Sequence, residues 1–250
     1  MPLSAFGDGA DDAPLRAYRP LPPTTGPTLQ NRFVGRWLLY GAGDGWGPRD
    51  TAAPGSKLIA VPWAGGRVAK LSLPHGVERI EPMGPGAVVV GSRGDDLAFT
   101  SVRLGRTPSV ASRYTLPGAS QGEMRSHGFF YRPDDAERGV LGLPVSGGGR
   151  PGYLHLFEGS AGVLFLRSDA LRLRPLGHLD ARASEGANAD DGCVASCVDW
   201  YGNARPLFLR GRIFALLGYE LVEGTLRGAA IHETRRISFA PRRLAADARR

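Results

Sequence analysis

The sequence predicts a nearly all-β domain of the β-propeller-like type, and three observations predict it. Short apolar runs joined by Gly-rich or charged turns recur at Ala87 to Leu104, Gly128 to Val145, Gly162 to Leu179 and Arg205 to Val222. Their spacing of roughly 35 to 45 residues suits one blade per repeat. The 36 Gly and 20 Pro among 250 residues supply turns throughout, and no segment sustains an apolar period of 3.6 for long enough to make a helix. A chain of this length buries a substantial core as one all-β domain. The expected architecture is about four to five blades, forming a compact ring or an incomplete one.

Residues 1–30 carry Pro14, Pro20, Pro22, Pro23 and Pro27 with few apolar residues and read as an extended leader. The propeller domain is expected over 31–241, followed by a basic tail at 242–250. Phe33 to Gly41 is the first strong strand, and Leu58 to Trp63 forms a hairpin with Arg67 to Leu73 across Ala64-Gly65-Gly66. In the second unit, Ala87 to Val90 and Leu97 to Val102 flank the turn SRGDD, and Ser112 to Leu116 adds a strand. A third unit runs from Gly128 into Tyr153 to Phe157. A fourth pairs Gly162 to Arg167 with Leu171 to Leu179 across Ser168-Asp169-Ala170. The last spans Cys197 to Val222 and closes with AAIHETRRISF. Inner propeller strands pack on both faces, and the runs AVVV, GVLFL and IFALLGY are continuously apolar accordingly.

The formal charge of +7 and pI near 9.9 raise the question of an anionic partner. The positive charge is nearly all arginine dispersed through strands and turns, with Lys57 and Lys70 the only lysines. Dispersed arginine does not make a phosphate-tracking stripe, which argues against nucleic acid. No run approaches the roughly 18 apolar residues of a membrane span. The start MPLSAFGDGADDAP has neither the basic nor the apolar region of a secretory signal.

The segments Asn31 to Gly41, Arg125 to Asp134 and Val198 to Gly224 together resemble bacterial proteins carrying a C-terminal β-propeller domain. Those proteins are typically large, secreted or lipid-anchored, and of unknown function. The resemblance extends over roughly Asn31 to Pro241. It implies the fold and a place at the cell envelope or outside the cell, and it transfers no catalytic residue. This chain departs from the pattern in being short and in lacking a signal or lipid-attachment cysteine near its start. That departure raises the reading of a propeller fragment without independent function.

Cys193 and Cys197 are the only cysteines. A disulfide and a pair of buried thiols both fit four-residue spacing, and no second Cys or His pair completes a zinc set. Among the five histidines, none has the HExxH spacing. Gly118 to Gly122 matches G-x-S-x-G, but the segment after Ser120 leads into a strand, so the helix of a nucleophile elbow is missing. Arg93 to Asp96 is sufficiently explained as a turn. Asp95, Asp96, Asp190 and Asp191 have no calcium-loop spacing. Asp199, beside Trp200, Tyr201, Asn203 and Arg205, suits a charge-assisted brace between blades.

The ligand-binding candidates are therefore Arg125, His127, Asp199, Arg205 and His232, with no metal or cofactor called for. The expected function is a non-enzymatic binding or scaffold module for a protein or carbohydrate ligand. The competing reading is a propeller hydrolase or lyase, in which His127, Asp199 and His232 would converge on a central channel.

Overall fold

The computed structural model describes residues 18–43, 55–146, 162–182 and 204–239. These form four antiparallel sheets in chain order. Sheet one comprises β1 (Thr28–Val34), β2 (Trp37–Gly43), β3 (Lys57–Pro62) and β4 (Ala69–Ser72). Sheet two comprises β5 (Arg79–Met83), β6 (Gly86–Arg93), β7 (Asp96–Arg103) and β8 (Ser109–Leu116). Sheet three joins β10 (Phe130–Pro133), β11 (Arg138–Ser146), β12 (Gly162–Asp169) and β13 (Arg172–Asp180), with the short β9 (Ser120–Gln121) pairing β11. Sheet four comprises β14 (Arg205–Leu209), β15 (Arg212–Leu217), β16 (Glu220–Arg227) and β17 (Ala230–Ser238). Successive four-stranded meanders stacked face to face make the fold propeller-like, as the sequence repeat predicts.

Side-chain alternation explains why the central strands are continuously apolar. Along β6, Ala87 and Val89 pack toward sheet one, while Val88 and Val90 pack toward sheet three. Along β12, Leu164 and Leu166 face sheet two, and Val163 and Phe165 face sheet four. All eight are fully buried, each worth about 1.5–3 kcal/mol relative to exposure for the larger side chains. A strand buried on both faces has no polar alternation to display. Three clusters thus mark three sheet-to-sheet interfaces, one for each consecutive pair.

The repeats at Gly128 to Val145 and Gly162 to Leu179 are not separate blades. β11 pairs with β12 from Arg138↔Asp169 to Val145↔Gly162, so the two hairpins zip into one sheet. Sheet three takes both of these repeats, Ala87 to Leu104 falls in sheet two, Arg205 to Val222 falls in sheet four, and sheet one precedes them all. Strand pairing makes the number of sheets among the described residues four. The expected strand Tyr153 to Phe157 lies outside the described residues.

The β12–β13 turn is built from two non-glycine residues with positive φ, Ala170 at 47° and Leu171 at 70°. Leu171 is fully buried in the cluster between sheets two and three. Its carbonyl accepts the hydroxyls of Ser101 at 2.5 Å and Ser112 at 2.8 Å. Burial and two hydrogen bonds thus hold a backbone conformation that an isolated chain disfavours.

The first strands form one continuous edge, with β1 packed on β5, β5 on β10 and β10 on β14. At the far ends, no extended strand packing joins sheet one to sheet four among the described residues. The free face of sheet one is partly covered by the end of the proline-rich leader. The Tyr40 hydroxyl donates to the Pro22 carbonyl at 2.6 Å, and Arg19 Nη1 donates to the Pro62 carbonyl at 3.2 Å. The leader therefore contributes packing from residue 18 onward, and the first strand starts at Thr28 rather than at Asn31. The expected basic tail lies outside the described residues. No helix among them is long and apolar enough to cross a membrane.

Candidate polar site at the first-strand edge

Strand β5 places charges where an inner strand would ordinarily be apolar. Arg79, Ile80 and Glu81 are all buried, and the Arg79 side chain is only 4% exposed. An unpaired buried charge is costly, so each must find partners. Arg79 Nε donates to Gln121 Oε1 at 2.9 Å, and Nη1 donates to Glu81 Oε1 at 3.2 Å. Its Nη2 donates to the carbonyls of Glu123 at 2.8 Å and Arg125 at 3.0 Å. Burial pushes the guanidinium below its ordinary pKa, opposed by Glu81 and Glu123. One side chain thereby ties sheet two to the segment entering sheet three.

The network extends in both directions. Arg32 on β1 donates Nε to the Ile80 carbonyl at 3.1 Å and Nη2 to Glu81 Oε2 at 2.8 Å. Glu78 accepts the Ser92 amide at 3.0 Å and Gln121 Nε2 at 3.0 Å. Glu123 accepts the backbone amide of Arg125 at 2.8 Å and its guanidinium at 3.0 and 2.8 Å. Burial raises the Glu123 carboxyl, but these Arg125 hydrogen bonds and the nearby charge hold it below the usual range. His127 Nε2 lies 3.3 Å from Glu123 Oε2. The 3-10 turn Ser126–Gly128 allows that approach. A Cβ on Gly128 would stand 2.8 Å from the Glu123 carbonyl oxygen, so the close approach needs glycine.

Over this network lies a cavity of about 130 Å³ lined by β1, the Glu78 to Glu81 segment, Met124 and Ser126. It is on the order of four waters in size. The side chains of Gln30 and Ser126 make no hydrogen bond within the described residues, and neither does Arg32 Nη1; Asn31 borders the cavity from β1 with its side chain on the opposite face, beside Leu29 and Phe33. The walls carry Arg32 and Arg79 against Glu78 and Glu81, a balanced charge. Free amide, hydroxyl and guanidinium groups above a satisfied charged floor can recognise a neutral, hydrogen-bond-rich group.

Two of the sequence candidates, Arg125 and His127, meet here on the Glu123 carboxylate. Arg205 begins β14, the strand that packs against the 126–128 turn. His232 does not join them. It lies on β17, opposite Thr225 at the other edge of sheet four. Asp199, Trp200, Cys193 and Cys197 lie outside the described residues, as do Asp190 and Asp191. Ser120 sits on β9 and exchanges a hydrogen bond with the Ser146 hydroxyl; β8 precedes it, and the 3-10 turn Ser126–Gly128 follows where a nucleophile elbow has an α-helix. Gly94 has φ 58° in the β6–β7 turn, and Asp96 Oδ1 accepts the Gly118 amide at 3.0 Å. Those two residues complete a turn, as their types suggest. Among the described residues no three His, Cys, Asp or Glu side chains form a metal-binding group.

The sequence candidates omitted Gln30, Asn31, Arg32, Glu78, Arg79, Glu81 and Glu123. The signal for four of them was the run Glu78-Arg79-Ile80-Glu81 between apolar strands, together with Glu123 two residues before Arg125.

No family model matches the chain, and no curated protein matches it. Among solved structures, it is similar to a protein from Lactobacillus plantarum at 13% identity, over 82% of this chain and 68% of that one, with a TM-score of 0.25. The fold description rests on the strand pairing and the three interface clusters.

Proposed function

We propose that this chain is a non-enzymatic binding module whose ligand presents hydroxyl groups, as a carbohydrate does, to the pocket between β1 and β5. The observation that carries this reading is the group of polar atoms without a hydrogen bond among the described residues, the side chains of Gln30 and Ser126 and the outer nitrogen of Arg32, around a cavity of about 130 Å³. Planar amide and guanidinium groups suit the paired hydrogen bonds that neighbouring sugar hydroxyls make. The charged residues beneath support a recognition role, because Arg79, Glu81 and Glu123 are already engaged with each other. They are occupied in holding the floor. A place at the cell envelope or outside the cell follows from the sequence resemblance alone.

The test is a saturation-transfer NMR screen of mono- and disaccharides against the full chain, repeated with Gln30→Ala and Arg32→Ala. Binding lost in both variants, with the melting transition retained, supports the reading. Absence of any saccharide response at millimolar ligand, or binding indifferent to both substitutions, contradicts it.

A further inference from the structure

Among the described residues, the packing series leaves each end sheet with one face that no other sheet packs against. First strands meet in the series β1–β5, β5–β10 and β10–β14, and every consecutive pair of sheets shares an apolar cluster. Continuing that series from β14 requires another β1. Both strands expose large apolar side chains: Leu29 is 57% and Phe33 64% exposed on β1, and Leu209 is 62% exposed on β14. The remainder of sheet four's free face holds a groove of about 260 Å³ whose floor includes Phe214, Leu221 and Ile237. Ile237 is itself 45% exposed.

We propose that a second copy of this chain covers that face, with β14 of one copy packing beside β1 of the other. The occupant is a second copy because the series β1–β5–β10–β14 continues only onto another first strand, and β1 carries Leu29 and Phe33 exposed on the side turned away from β5. The described part of the leader, from residue 18, leaves room for it. Its hydrogen bonds reach Tyr40 on β2 and Pro62 on β3, while Leu29 and Phe33 on β1 stay uncovered.

Two arcs of four sheets joined at both ends make a ring of eight, within the usual four to eight blades. The two contacts are identical and head-to-tail, and a two-fold axis closes them without leaving a growing end. Arg212, paired with Glu223 at 2.6 Å, and Arg235 form the polar rim of the groove. Apolar centre and charged rim are the usual layout of a protein interface.

The test is sedimentation equilibrium of the full chain across a range of concentrations, together with Phe33→Asp and Leu209→Asp. The proposal expects a species of twice the 26.6 kDa chain mass. Each variant should weaken association by about tenfold or more while keeping its circular dichroism spectrum and melting transition. Mixing the two variants should restore one intact contact and yield a heterodimer, because each retains the face that the other has lost. A monomer at every concentration, an open-ended series of larger species, or a dimer unaffected by both substitutions overturns the proposal. Failure of the mixture to associate overturns the head-to-tail arrangement. None of these outcomes depends on a saccharide, so this test stands apart from that of the pocket.

Discussion

Arg79 Nη2 lies 2.8 Å from the Glu123 carbonyl oxygen, across 44 residues of chain. This bond and its companion to the Arg125 carbonyl anchor the loop carrying Met124 and Ser126 to the strand that forms the pocket floor. A guanidinium suits the position because its fork reaches two carbonyls, a carboxylate and an amide at once.

Arg79→Ala should therefore cost about 3–5 kcal/mol, the usual penalty for breaking a buried charged pair. Arg79→Lys should recover little, since a single ammonium cannot span the four acceptors. Urea denaturation of the three proteins measures this. A loss below about 1 kcal/mol for the alanine variant would show that the brace is not structural.

The β12–β13 turn separates strain from packing. Leu171→Ala removes a fully buried side chain from the cluster between sheets two and three and should cost about 2–5 kcal/mol. Ala170, with φ 47°, makes no such contribution to the core. Ala170→Gly should be neutral or stabilise by up to about 1 kcal/mol through relief of the left-handed conformation. Thermal melts of both variants should move in these different directions.

Acid should act through His75 before it acts on the carboxylates. His75 is buried; its Nδ1 lies 2.7 Å from the Gly76 carbonyl oxygen and must donate, leaving Nε2 to accept from the Thr100 hydroxyl at 2.8 Å. Burial lowers its pKa below 6.5, with Arg113 adding to the shift and the Gly76 carbonyl and Glu78 opposing it. The unfolded chain thus takes up the proton first, so stability is fully present above about pH 6.5 and declines as pH falls through the folded value. Glu123 and Glu233 are also held below 4.5, Glu233 chiefly by its Arg236 hydrogen bonds. Their contribution is present above 4.5 and is lost at still lower pH. Melting temperature against pH should fall in two stages, and His75→Gln should remove the upper one. An unchanged upper stage would contradict the assignment to His75.

Sheets three and four meet at a point with no spare volume. A Cβ on Gly142 would stand 2.4 Å from the Pro206 Cβ. Gly142→Ala should force β11 and β14 apart and cost about 1–3 kcal/mol by overpacking. Hydrogen exchange should then rise in β14 and β15 more than in sheet one; uniform exchange across the chain would contradict a local effect.

The strands most readable from sequence were those whose physics leaves one solution. β6 and β12 are buried on both sides, so AVVV and GVLFL had no other environment to suit. The partner of a strand is less readable. Nothing in the hydrophobicity of Gly128 to Val145 says whether it begins a new sheet or joins Gly162 to Leu179, because pairing depends on register across a long connection. Arg125 and His127 stood out by their place at the start of a strong strand, and the structure joins them through Glu123. Arg79 was harder, since an arginine in a strand is ordinarily at the surface and only the carbonyls brought from 44 and 46 residues away make its burial sensible.

The most direct measurement of the central claim, that the first-strand edge carries the binding site, is backbone amide NMR of the full chain titrated with the tightest saccharide from the screen. The account predicts shift changes concentrated at Gln30 to Arg32, Glu78 to Glu81, and Met124 and Ser126, which line one cavity from three separate stretches of sequence. Changes confined to other surfaces, such as β8 or the outer face of sheet four, with those three stretches unmoved, would contradict it.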